Sequence, residues 1–143
     1  MPSIFAPLCL LTVALVLPAA AQSYRQITAK ELHQNASQHL KQRIELKDAY
    51  CCSLEDNGGY ECGTGETLTI RAKDMAEGPL KAKIEAECGG LDAIEQTPNC
   101  RTNVRFIATA VSKEQGEVMR AGKLTPAEIT IVTADTLTPV AAR

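Results

Sequence analysis

The chain has 143 residues, 15 Lys and Arg against 17 Asp and Glu, a formal net charge of −2, six cysteines and no Trp. That balance excludes a globally basic protein that coats nucleic acid, and the scarcity of aromatic side chains leaves an aliphatic core with few stacking platforms. Six cysteines in so short a chain point to an oxidising compartment.

Leu8 to Leu17 is an apolar run followed by Pro18 and the small triplet Ala19-Ala20-Ala21. Such a run is too short to cross a bilayer core of ~30 Å as a helix. The A-x-A pattern before Gln22 suits signal peptidase, so residues 1–21 are predicted to be a cleaved export signal and 22–143 a single domain. The segment ahead of the run lacks Lys and Arg, a departure from the usual signal. Cleavage removes Cys9 and leaves Cys51, Cys52, Cys62, Cys88 and Cys100, an odd number that leaves one thiol without an intrachain partner.

Thr28 and Glu31 form a capping box, with Ile27 and Leu32 as the hydrophobic staple around it, so a short helix is predicted from Ala29. Asn35 to Ser37 interrupts it. The first strand is predicted from Arg43 to Leu54, where Ile44 and Leu46 alternate with Arg43, Glu45 and Lys47. A strand this long must coil to close a barrel, which places a bulge near Lys47 or Asp48. Without the bulge Cys52 shares a face with Ile44 and Leu46; with it, Cys51 does. Asn57-Gly58-Gly59 accept the positive φ of a chain reversal. The second strand follows at Tyr60 to Thr64. The third runs from Thr67 to Lys73, with Leu68, Ile70 and Ala72 opposite Thr69, Arg71 and Lys73.

Pro79 to Cys88 is built from helix formers, with Pro in the first turn, Lys and Glu four residues apart, Leu80, Ile84 and Cys88 on one stripe, and Gly89-Gly90 as the stop. Leu91 to Gln96 is predicted to add one more turn. Alternation returns in Cys100 to Val111, the fourth strand, where Thr102, Val104, Phe106 and Ala108 oppose Arg101, Asn103 and Arg105. Ser112 to Ala127, polar and containing Gly and Pro, is predicted to be a connection. Glu128 to Leu137 is the fifth strand, and Pro139 onward is a tail.

Three strands, a helix and two further strands is the order of an OB-fold. The expected fold is therefore mainly β, a five-stranded Greek-key barrel with one helix between the third and fourth strands and a short N-terminal helix. From Ile27 to Thr136 the chain resembles the small exported bacterial OB-fold proteins. The shared features are a strand ending in Tyr50-Cys51, a hairpin closing on Tyr60-Glu61-Cys62, a third strand reading LTIRAK, and a helix ending in Cys88 with Cys100 opening the next strand. The resemblance implies a periplasmic ligand-binding or envelope-associated role and supplies no catalytic residues. Cys52 is additional to the four-cysteine pattern of those proteins.

Cys88 and Cys100 bracket the helix exit and the fourth strand and are expected to bridge. Cys62 is expected to bridge to Cys51 or to Cys52. No metal site or cofactor is expected, since Cys51-Cys52 is contiguous, no C-x-x-C occurs, and His33 and His39 lie in the helical segments. Neither histidine belongs to a triad- or dyad-like pattern, so no enzymatic activity is expected.

The outward strand positions supply Arg43, Lys47, Arg71, Lys73, Arg101 and Arg105 against Glu45, and Tyr50 and Tyr60 lie beside them. These residues form the candidate ligand surface. A polyanion would be drawn to them by counterion release, although charged strand faces also serve merely to keep sheet edges apart. The expected function is an exported, non-enzymatic binding module whose partner is an unknown ligand or an envelope protein, with no membrane span after signal cleavage. Nucleic acid is disfavoured by the few aromatics and by export. Two alternatives are a thiol-dependent redox or envelope stress factor using the spare cysteine, and oligonucleotide or polyanion binding by analogy of fold.

Overall fold

Alternation of apolar and polar side chains builds most of this molecule. A computed structural model describes residues 23–54, 58–64, 67–88 and 100–141. In chain order the elements are β1 (Arg25–Ile27), α1 (Ala29–Asn35), a 3₁₀ turn (Ala36–His39), β2 (Arg43–Ser53), β3 (Tyr60–Gly63), β4 (Leu68–Met75), α2 (Pro79–Glu87), β5 (Arg101–Arg120) and β6 (Lys123–Val140). The predicted signal over 1–21 and the turn at Leu91 to Gln96 lie outside the described residues.

The Thr28 hydroxyl accepts a hydrogen bond from the Glu31 N–H at 3.1 Å and so caps α1. The reciprocal half of the predicted capping box gives way to competition. The Glu31 carboxylate turns toward Arg25 at 3.6 Å and His39 Nε2 at 3.7 Å. Ile27 and Leu32 are both buried, as a staple requires. In α2, Pro79 occupies the first turn and Ile84 and Cys88 are buried along one stripe.

The strands form one sheet in the order β1-β2-β3-β4-β6-β5, and β5 pairs back onto β2, so the sheet closes into a ring. β4 and β6 run parallel, as do β1 and β2; the other pairings are antiparallel. Side chains alternate across this ring, and the inner positions of β2, β4, β5 and β6 meet as Ile44, Leu46, Ile70, Val104, Phe106, Val132 and Leu137. Leu32 from α1 and Ile84 from α2 join the same core.

Two expectations need correction. The sheet has one strand more than expected: Arg25, Gln26 and Ile27, ahead of α1, pair with Ile44, Glu45 and Leu46, giving six strands in place of five. Three residues are too short to display a period, so only the edge offered by β2 makes them a strand. The segment 112–127 is not a connection. It forms the outer part of a β5–β6 hairpin whose pairs run unbroken from Ala110–Thr133 to Arg120–Lys123, and the predicted tail at Pro139 is the end of β6. Gly116 and Pro126, which read as loop residues, have sheet reasons to be there. A Cβ at Gly116 would collide with the Ile129 side chain across the hairpin. Pro126 lies on a part of β6 beyond Thr130, where β4 no longer flanks it, and proline is tolerated on such an edge. The reversal is made by Ala121 and Gly122, with φ of 49° and 78°.

The bulge falls where strand length demands it. The β2–β5 register shifts between Leu46 and Ala49, and Asp48 takes a φ of 54°, a conformation that Asp tolerates better than most residues. The extra residue inverts the facing of the strand that follows it. Ala49 and Cys51 therefore continue the inner face of Ile44 and Leu46, and the β2–β3 register decides the open cysteine pairing: Cys51 stands opposite Cys62 and bridges to it. Cys88 bridges to Cys100, and Cys52 is left as a buried free thiol.

Candidate ligand groove at the β2 bulge

The outer face of β2 and β5 carries a ladder of polar side chains three strands wide. Gln26 of β1, Glu45 of β2 and Arg105 of β5 stand in register. Glu45 is buried, and both of its oxygens are used: Oε2 accepts from Gln26 Nε2 at 2.7 Å and Oε1 from Arg105 Nε at 3.1 Å. The Gln26 hydrogen bond is the main reason that its carboxyl is held below the usual glutamate range, with Arg105 adding to the effect against the opposing cost of burial.

One step along the strands, the bulge turns Asp48 outward. Its backbone N–H donates to Asn103 Oδ1 at 3.1 Å, and its carboxylate accepts from Arg101 Nη1 at 2.8 Å. Arg101 in turn lies over the Tyr50 ring, 4.1 Å from its centroid. The planar guanidinium is thus held by stacking and by an ion pair at once. Thr102 faces inward and donates to the Val140 carbonyl at 2.9 Å, which ties the end of β6 to this edge.

Between these rows runs a groove of about 460 Å³, lined by side chains that include Gln26, Glu45, Lys47, Asp48, Arg101 and Arg105. Its width comes from the bulge, because the register shift between Leu46 and Ala49 interrupts the β2–β5 pairing there. Within it Glu45 is satisfied and Arg101 is braced, whereas Lys47 forms no salt bridge among the described residues. The chemistry on offer is therefore one uncommitted ammonium group beside two positioned guanidinium groups, with amide and carboxylate acceptors around them.

The predicted ligand surface divides in two. Arg43, Lys47, Tyr50, Arg101 and Arg105 do come together on β2 and β5, with Arg43 and Arg105 lying 5.8 Å and 5.1 Å from the centroid of Tyr24. Arg71 and Lys73 stand apart on β4, with β3 between them and β2. Arg71 Nε is paired with Glu61 at 2.6 Å, and Lys73 is exposed. Tyr60 belongs to neither group: its hydroxyl donates to Glu85 of α2 at 2.5 Å, and Lys81 lies 5.8 Å from its ring. The surface is thus not the one-signed stripe that strand alternation suggested, because Asp48 and Glu61 supply carboxylates from the bulge and the neighbouring strand. Gln26, Tyr24 and Asp48 carried no local signal of a role, since each gains one only through a partner 19 or more residues away.

Cys52 lies outside the groove, fully buried opposite Glu61. Burial, with Glu61 adding to it, pushes its thiol up to about 11. Nucleophilic cysteines sit in exposed, electropositive settings that stabilise the thiolate, and this environment does the reverse.

No protein-family model matches the chain, and no curated protein matches it. Among solved structures it is similar to a candidate aspartyl-tRNA synthetase from Leishmania major Friedlin, at a TM-score of 0.38 and 13% identity over 91% of this chain and 23% of that one. A likeness so remote carries no information about activity.

Proposed function

We propose that the chain is an exported, non-enzymatic binding module of OB type. Its ligand site is the groove beside the β2 bulge, and its ligand is a small or oligomeric polar molecule bearing an anionic group. The observation that carries this reading is the groove's charge arrangement. Arg101 and Arg105 are fixed in place by Asp48, Tyr50 and Glu45, which lowers the cost of ordering them around a ligand. Lys47 stands beside them without an ion pair among the described residues.

The OB-type reading is supported by the closure of the sheet through β2 and β5, by the parallel pairing of β4 with β6, and by the position of α2 between β4 and β5. Export to an oxidising compartment is supported by the two disulfides. A thiol-dependent factor is the weaker reading, given the environment of Cys52.

Titration with anionic oligosaccharides and with single-stranded oligonucleotides at two salt concentrations tests the proposal. Binding of one class should weaken as salt rises, and by about tenfold in Lys47→Ala or Arg101→Ala, with Arg71→Ala close to wild type. Equal losses in all three variants, or binding that ignores both salt and substitution, would remove the groove as the site.

A further inference from the structure

The β5–β6 hairpin outlasts the strands beside it. β2 last pairs with β5 at Ile107, and β4 last pairs with β6 at Thr130, yet β5 and β6 continue to pair as far as Arg120–Lys123. At a strand rise of about 3.3 Å per residue, the segment from Thr130 to the turn extends roughly 25 Å.

Its end has an unusual composition. Met119 and Leu124 face each other as a cross-strand pair and are 55% and 63% exposed, the two most exposed large hydrophobic residues among those described. The next pair is Arg120 with Lys123, and both are exposed. Between Glu117 and Glu128 the tip carries two cations, Arg120 and Lys123, and no carboxylate. A single exposed apolar side chain is ordinary, but two facing each other at the end of a projecting hairpin form a contiguous apolar patch of the kind that marks an interaction site, and adjacent cations that keep their charge in water narrow the range of covers.

From this pairing we infer that the hairpin tip is a docking element for an anionic phospholipid surface. Met119 and Leu124 enter the interface between headgroups and acyl chains, while Arg120 and Lys123 remain at the level of the phosphates. A second copy of the chain, paired along the open strand edges, fits less well. Lys113, Glu114, Glu117 and Arg120 place charge along β5 where an added strand would lie, a feature that discourages edge pairing. The inference is independent of the groove, which lies at the opposite end of β5.

The absence of Trp allows a direct test. In Leu124→Trp the only indole stands at the tip, so its emission reports that point and not the apolar N-terminal stretch of the full chain. The expected result is a blue shift on addition of vesicles containing phosphatidylglycerol, none with phosphatidylcholine alone, and loss of the shift when Arg120→Glu and Lys123→Glu are added. In parallel, the unlabelled double variant Met119→Ser/Leu124→Ser should cosediment with anionic vesicles at least tenfold less than wild type, with an unchanged thermal midpoint because the changed positions are exposed. Emission that ignores anionic vesicles, or that shifts equally with both lipids, overturns the inference. So does a shift that depends on protein concentration without lipid, which would assign the tip to a second copy. Ligand binding in the groove should persist in every tip variant.

Discussion

Cys52 on β2 stands directly opposite Glu61 on β3, one residue away from the Cys51–Cys62 bridge. The β2–β3 register sets both relationships, while the bulge at Asp48 sets the faces, putting Cys51 on the inner one and its neighbour on the outer. Buried beside a carboxylate, with its thiol pushed up to about 11, Cys52 holds almost no thiolate at neutral pH. In the native protein it should react with a disulfide reagent at pH 8 at least ~100-fold more slowly than an exposed thiol, and at the ordinary rate once unfolded. Peptide mapping assigns the label, and rapid native labelling of Cys52 would contradict the burial described here.

Glu45 links acid stability to the groove. Its carboxyl is held below the usual range, so it contributes stability above the ordinary glutamate value of about 4.3, and that contribution is lost as pH falls through the lower folded value. Glu45→Gln should therefore cost about 1–3 kcal/mol at pH 7, with the difference from wild type shrinking toward pH 3. Denaturant melts at the two pH values measure it, and a gap that stays constant would show that the carboxylate charge is not what matters.

The Cys88–Cys100 bridge joins the end of α2 to the start of β5 across a sequence separation of 12. A loop of that length is worth about 3 kcal/mol in the chain-entropy account, and Ile84, which α2 buries in the core, depends on the helix staying docked. The double variant Cys88→Ala/Cys100→Ala should lose about 2–4 kcal/mol in equilibrium unfolding. A loss below 0.5 kcal/mol, roughly the limit for surface changes, would mean that other contacts already hold the helix.

Gly116 is a packing glycine. A Cβ there meets the outer end of the Ile129 side chain, which has to rotate away, so Gly116→Ala should destabilise by about 0.5–1.5 kcal/mol, the cost of an off-rotamer χ. The companion change Ile129→Ala makes room for the new methyl, so the double variant should recover part of that loss. Strict additivity of the two single losses would argue against the contact.

Local signals in the sequence were enough for β2, β3, β4 and α2, because alternation, a proline-led helical stretch and the glycines at the first reversal act between near neighbours. They also fell on the bulge, which a strand of this length needs in order to coil. The same short range explains the failures. β1 has too few residues to show a period, and 112–127 hides a sheet pattern behind Gly116, Pro126 and strands that are largely polar with no regular alternation.

What the chain alone determined was its mainly β character, the cysteine set available for two bridges, and the cationic outward positions of β2, β4 and β5. Tertiary structure decided which cysteine was left over, which cations share a groove and which are neutralised across a strand, and that a hairpin reaches beyond the ring. Those outcomes rest on contacts such as Glu45–Arg105 and Asp48–Arg101. Their partners lie far apart along the chain, and only the register of the closed sheet brings them within reach.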